Sequence, residues 1–373
     1  MDDAEGLRRE LRAWLDTHHT AEVRAAVEQR GTDEAWAAHR AWNTLLFDAG
    51  WAAIAWPAAY GGRDAGLAEQ LAYHEEMARA GAPGPINAIG VANIAPAIMA
   101  VGTDEQKERF LRPLLRGDEI WCQGMSEPDA GSDLASLRCR AERDGDHFVI
   151  HGQKTWTSNG DRADWCQLYV RTNPDVPRHK GITCLLVDMT TPGIEARPIT
   201  TMAGDAGFAE LFLDGARVPA GSRLGEVDDG WSVATRTLSN ERAGVATLYL
   251  HLRGKLDRLL EATAGVDDRV ARDALAARYI EVRLLELLAQ RTLGAAQAGR
   301  PPGPEGSVIK LAWSQADQAL ATTAVDVLGA GALTGEWGRN LLSSRSLSIA
   351  GGTTEVNKTI VADRVLGLPR APS

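Results

Sequence analysis

Apolar residues recur at helical spacing through the first third of the chain. Leu7, Leu11, Trp14 and Leu15 fall at i, i+4, i+7 and i+8, one face of an amphipathic helix. Thr103-Asp-Glu-Gln supplies the capping residue and early acids that open a later helix. Turn-rich runs, Trp56-Pro-Ala-Ala-Tyr-Gly-Gly62 and Gly81-Ala-Pro-Gly-Pro85, punctuate this helical region. Between Trp121 and Gly225 the pattern changes to strands. His147-Phe-Val-Ile-His151, Gln167-Leu-Tyr-Val-Arg171, Ile182-Thr-Cys-Leu-Leu-Val187 and Glu210-Leu-Phe-Leu213 are short β-prone runs bounded by Gly, Pro, Asp or Asn. From Glu226 helical texture returns, with no proline before Pro301, and Leu275, Tyr279, Val282, Leu285 and Leu288 keep helical spacing. Pro301-Pro-Gly-Pro304 breaks the run, which resumes from Val308. The pattern divides the chain at 1–120, 121–225 and 226–373, an α+β order with helices segregated from the sheet. No strand leads into a Gly-x-Gly-x-x-Gly turn, so a dinucleotide-binding Rossmann unit is not indicated.

Composition narrows the function classes. The chain has 373 residues, with 40 Lys and Arg against 50 Asp and Glu, a formal net charge of −10. Hydrophobic residues at 44% and charged residues at 24% exclude wholesale disorder. The acidic balance argues against a nucleic-acid or anionic-membrane surface, which needs clustered cations. There is no apolar run long enough to span a bilayer, and the N-terminus lacks a signal-peptide pattern, so a cytoplasmic protein is expected. The four cysteines, Cys122, Cys139, Cys166 and Cys184, form no Cys-x-x-Cys pair and have no histidine at ligand spacing. Neither a metal site nor a disulfide framework is expected, and the adjacent His18 and His19 read as an exposed helix face.

Four segments carry the chemistry: Met125-Ser-Glu-Pro-Asp-Ala-Gly-Ser-Asp133, Gly152-Gln-Lys-Thr-Trp-Thr-Ser-Asn-Gly160, Leu238-Ser-Asn-Glu-Arg242 and Ile349-Ala-Gly-Gly-Thr-Thr-Glu-Val356. Singly they read as a polar turn, a strand ending in an Asn-Gly turn, a helix interior and a Gly-rich helix cap. Together, in this order, they resemble the acyl-CoA dehydrogenase family, and the resemblance runs to Val365-Leu-Gly-Leu-Pro-Arg370. It implies an N-terminal helical domain, a central antiparallel β domain and a C-terminal four-helix bundle. It also implies FAD as cofactor, an acyl-CoA substrate and an electron-transferring flavoprotein as acceptor.

The family chemistry removes the α proton of an acyl-CoA thioester with a carboxylate, while the β hydrogen leaves as hydride to the flavin. The enolate-like charge needs fixed donors, and the carboxylate needs an apolar pocket that raises its proton affinity. By resemblance, Gln123, Met125, Ser126 and Ser132 line the flavin, with Ser132 also near the CoA pyrophosphate. Trp156 would stack beside the isoalloxazine ring, and Ser158 stands where the family usually has a threonine. Thr353 and Glu355 face the adenine half of FAD.

Many family members carry the base as a glutamate just before the Gly-Thr pair, where this chain has Gly351. A minority place it on an earlier helix, immediately before an arginine, and Glu241-Arg242 fills that alternative. The resemblance therefore makes Glu241 the base and Arg242 its ordering neighbour, with the Gly351 backbone N–H on the thioester oxygen. Members built this way tend to take branched, bulky or steroid side-chain acyl groups.

Two family segments that complete a neighbouring subunit's FAD site are altered. The Arg-x-x-Phe-Gly segment is missing from Gly265-Val-Asp-Asp-Arg-Val270, and Gln-x-x-Gly-Gly-x-Gly reads Asp326-Val-Leu-Gly-Ala-Gly331. The expected assembly is a hetero-oligomer of α2β2 type, with a homotetramer as the competing arrangement. Two other readings compete with the dehydrogenase: a subunit of a mixed complex with little catalysis of its own, and a monooxygenase or nitroalkane oxidase branch of the same fold.

Overall fold

The leading apolar stripe forms α1 (Asp2–His18), with Leu7, Leu11 and Leu15 buried as the spacing requires. A computed structural model describes residues 2–28, 31–243, 247–299 and 303–369. Its contacts gather the chain into two compact units: residues 13–66 with 82–240, and residues 1–12 with 67–81 and 241–373. Both draw on separate stretches of sequence, so neither coincides with a segment read from periodicity. Among the described residues no helix is long and apolar enough to cross a membrane.

The unit of residues 13–66 and 82–240 carries α2 (Ala21–Glu28), α3 (Asp33–Asp48), α5 (Ala95–Val101), α6 (Asp104–Arg116) and α7 (Gly230–Ala243) through residue 240. Thr103 caps α6 in a reciprocal box with Gln106, as its sequence foretold. His19 is not on an exposed face: it is buried, its ring 5.5 Å from that of Trp42, because the chain turns inward where α1 ends. His18 stacks on Trp14 and is half-buried.

The sheet has eight strands: β1 (Trp121–Gly124), β2 (Arg140–Asp144), β3 (His147–Ser158), β4 (Trp165–Arg171), β5 (Ile182–Asp188), β6 (Ile194–Ile199), β7 (Phe208–Pro219) and β8 (Arg223–Leu224). The main order is β6-β7-β3-β2-β4-β5-β8. Most pairs are antiparallel, as expected, but β1 and β2 both run parallel to β4. Parallel neighbours need a long excursion between them, and the chain supplies one through residues 125–164. The edge of β4 is shared: β1 pairs with residues 165–168 and β2 meets Arg171. The segment linking β1 to β2 therefore leaves the sheet where the edge changes partner. One face buries Cys122, Ile150, Cys166, Leu168, Leu185 and Val187 in a common core. All four cysteines are free and buried.

α7 is held close to this sheet at its first residue. A Cβ on Gly230 would lie 2.7 Å from the backbone of Cys184, so only glycine allows the approach. Asp228, at φ +66°, accepts from the Thr172 hydroxyl, and its backbone N–H donates to Thr183 Oγ1 at 2.9 Å. Farther along, Thr237 meets the buried Tyr169 hydroxyl at 3.3 Å.

In the other unit, α8 (Leu248–Ala262), α9 (Arg269–Gln297) and α10 (Glu305–Leu328) enclose Leu252, Leu256, Leu259, Val282, Leu285 and Leu320, and α4 (Leu67–Ala80) packs against α8. Tyr279 shares the helical spacing of this core yet remains exposed, at the edge of the apolar stripe. Short α11 (Glu336–Ser343) and α12 (Thr354–Ile360) follow. Glu76 is buried within α4 and receives Arg12 Nε at 2.7 Å and Arg79 Nε at 2.8 Å.

Candidate active site

The β1–β2 segment begins with the first motif and is docked onto the second. Lys154 of β3 is fully buried, and its Nζ donates to Met125 O at 3.1 Å and to Glu127 Oε1 at 2.8 Å. The Glu127 carboxylate also accepts the backbone N–H groups of Arg138 at 2.6 Å and Cys139 at 2.8 Å. Thr155 N donates to Ser126 O at 2.9 Å. Glu127 and Lys154 thus give the two motifs a shared, desolvated ion pair. Sequence alone assigns neither residue a role; the signal is a lone glutamate in one motif and a lone lysine in the other. Burial pushes the neighbouring Cys139 thiol up to about 11, so it stays neutral.

Directly after Lys154, β3 carries one residue more than β7 opposite it, a bulge between Lys154 and Thr157. Trp156 occupies the bulge at φ +57°, a left-handed conformation costly for a side chain of its size. Its neighbours Thr155 and Thr157 are buried, whereas the indole is 59% exposed. A large aromatic face is thereby held outward beside the Met125–Ser126 segment. Ser126 and Ser158 are half-buried and Ser132 is exposed, and their hydroxyls make no hydrogen bond among the described residues. Gln123 is half-buried at the end of β1, and its Nε2 donates to Gln167 Oε1 at 2.9 Å.

These observations test the fit of a flavin. The isoalloxazine ring is flat and carries acceptors and one N–H along its edge. It suits an exposed indole flanked by free hydroxyls and a rigid backbone segment. Gln123, Met125, Ser126, Trp156 and Ser158 fit that requirement, and Ser132 lies on the same segment farther out.

The remaining candidates lie in the helical sequence. Glu241 and Arg242 are on α7, but their side chains fall outside the described residues. Gly351 and Gly352 have φ of +64° and +92°, a backbone path that favours glycine. Thr353 follows as the cap of α12, its hydroxyl oxygen accepting Val356 N–H at 3.2 Å. Glu355 is exposed in the first turn of α12, where a carboxylate complements the helix N-terminus. Asn357, which sequence reading missed, is buried and donates to Gly352 O at 2.8 Å and Thr353 O at 3.0 Å. Upstream, Gln318 of α10 ties down Ser344 O and Ser348 Oγ, both at 3.1 Å. The Gly-rich segment is thus fixed from both sides.

Comparison with known proteins identifies the family. Models of the acyl-CoA dehydrogenase N-terminal, middle and C-terminal domains match residues 1–118, 122–216 and 228–366. The chain is 40% identical, over 384 aligned positions, to acyl-CoA dehydrogenase IpdE1 of Mycobacterium tuberculosis, with 99% of each covered. The chain belongs to the acyl-CoA dehydrogenase family. Its fold is therefore the three-domain acyl-CoA dehydrogenase fold, and the family is one of flavoprotein oxidoreductases. Among solved structures it is similar to the ChsE4-ChsE5 complex from Mycobacterium tuberculosis, with a TM-score of 0.87 and 35% identity over 100% of this chain and 99% of that chain. It is also similar to the Tcur3481-Tcur3483 steroid ACAD, with a TM-score of 0.88 and 31% identity over 100% and 99%.

Proposed function

We propose that this acyl-CoA dehydrogenase is FAD-dependent and introduces an α,β double bond into a bulky, branched or steroid side-chain acyl-CoA. The observation that carries the reading is Trp156: exposed, held in a strained bulge, and set beside a segment anchored by a buried ion pair. FAD would be held by Gln123, Met125, Ser126, Ser132, Trp156 and Ser158, with Thr353 and Glu355 toward its adenine half. Bound FAD supplies the acceptor for the hydride that leaves the β carbon. Glu241 takes the α proton on its carboxylate, and Arg242 orders the same turn of α7. The N–H of Gly351 donates to the thioester oxygen, where negative charge develops; this role needs no side chain.

The steroid preference is supported by a relative described as a steroid ACAD. Both solved relatives cited are described as paired polypeptides, which favours a hetero-oligomer here as well. Asp326 is exposed near the end of α10, where it would bring a negative charge toward a neighbour's FAD phosphates. A partner chain of the same family would complete the site, and an electron-transferring flavoprotein would reoxidise it. A second reading, a subunit with little catalysis of its own, draws on the same pairing.

Anaerobic titration with a panel of acyl-CoA thioesters tests the proposal. Glu241→Gln should retain FAD and bind substrate yet lose flavin reduction by about 10²- to 10⁴-fold. Near-normal reduction by Glu241→Gln would move the base elsewhere, and highest kcat/KM on a short straight chain would overturn the substrate assignment. A stable homotetramer with one FAD per chain and full activity would exclude the partner.

A further inference from the structure

A chain of three amides lies beneath the cofactor-facing end of β1. Gln167 of β4 is fully buried, and it is the register partner of Gln123 in the parallel β1–β4 pair. Gln123 Nε2 donates to Gln167 Oε1 at 2.9 Å, and Gln123 Oε1 accepts from Asn93 Nδ2 at 3.4 Å. Asn93 is itself buried. The two contacts have opposite polarity, so rotating the Gln123 amide by half a turn would set donor against donor and acceptor against acceptor. With Gln167 and Asn93 oriented as they are, both contacts are satisfied in only one orientation of that amide.

Gln167 gains little for itself from this arrangement. Its Nε2 is buried without a hydrogen-bond partner, the weakly accepting Cys184 thiol beside it. A buried amide with unsatisfied N–H groups opposes stability, and an apolar side chain of the same volume would avoid the penalty. A glutamine there is accounted for by what its oxygen does to Gln123. With one N–H committed to Gln167, Gln123 has a second N–H in a fixed direction, on a residue that is only half-buried and leads straight into Met125 and Ser126.

We propose that Gln167 and Asn93 are positioning residues that hold the Gln123 amide with its remaining N–H presented to the flavin. This rests on the FAD reading above. Gln123, through that N–H, contributes to cofactor affinity and to the flavin's electronic environment; Gln167 and Asn93 act only through it.

The test compares wild type with Gln167→Met, Gln123→Met and the double variant, each assembled as the protein carries its cofactor. Thermal unfolding, the FAD dissociation constant and the flavin absorption spectrum are measured for each. Gln167→Met should match or exceed the wild-type Tm of the FAD-free protein, because it removes the unpartnered amide. Its FAD dissociation constant should nevertheless rise about 2- to 10-fold, the loss of one neutral hydrogen bond, with a shifted visible band. Gln123→Met should show the same change, and the double variant no further loss. A lowered Tm with unchanged affinity and spectrum would make Gln167 a core residue only and overturn the proposal. Multiplying losses in the double variant would overturn it too, by showing that the two residues act independently. Wild-type protein that takes up no FAD in any assembly would instead remove the FAD reading itself.

Discussion

Replacing Lys154 with methionine removes a fully buried charge while keeping an unbranched apolar stem. Lys154 and Glu127 have side chains 0% and 7% exposed and meet at 2.8 Å. After Lys154→Met, the Glu127 carboxylate would stay buried with two backbone N–H donors, from Arg138 and Cys139, and no countercharge. Breaking a buried pair from one side costs about 3–5 kcal/mol. In a unit of roughly 200 residues each kcal/mol moves Tm by about 2–4 °C, so a fall near 10 °C is expected. The loss should be felt first in the Met125–Asp133 segment, because Lys154 also holds the Met125 carbonyl. FAD affinity should therefore fall together with Tm. Thermal unfolding monitored by tryptophan fluorescence, with FAD titration on the same samples, measures both. The double variant Lys154→Met/Glu127→Gln removes both charges and should recover at least half of the lost Tm. A Lys154→Met Tm within about 2 °C of wild type would refute the reasoning, since that corresponds to under 1 kcal/mol.

Acid should weaken the unit that contains α4. The Arg12 guanidinium, and then Arg79, hold the buried Glu76 carboxyl down from 4.5 to about 2. A folded-state value below the ordinary one means that the stabilisation, ~3 kcal/mol, is fully present above about pH 4.5 and lost as pH falls toward 2. Glu76→Gln should flatten the pH dependence of Tm in that window, and an unchanged slope would contradict the assignment. Gly230→Ala should cost about 1–3 kcal/mol, because its Cβ would press on the backbone of Cys184. Denaturant unfolding checks it, and an alanine tolerated without loss would show that α7 has room to move.

Much of this protein is legible in one dimension. Leu7, Leu11 and Leu15 mark a buried helical stripe because a helix repeats every 3.6 residues whatever surrounds it. The Thr103–Gln106 box is equally local, its four residues containing every donor and acceptor of the cap. Strands β3, β4, β5 and β7 announce themselves by β-branched and aromatic content between turn residues, and the four motifs point to the family because their residue types and order are written in the chain. Where partners are distant in sequence, the string of residues is silent. β2 is mostly charged and β6 carries Glu195, Arg197 and a proline, so neither signals a strand, and they become strands because β3 and β7 offer edges to pair with. His19 is buried by Trp42, more than twenty positions away, and not by its own helix. The Glu127–Lys154 pair and the Asn93–Gln123–Gln167 amides join residues 27 to 44 positions apart. A lysine or glutamine in a strand reads as surface until its neighbours exclude water, and only then must its polar atoms find one another. The outward turn of Trp156 is likewise a property of the bulge, which needs β7 opposite to exist at all. Sequence periodicity determined most of the elements and the motifs pointed to the family; the tertiary structure decided which polar groups are desolvated, and desolvation is what makes Lys154, Glu127 and Gln167 hold the segments beside them in place.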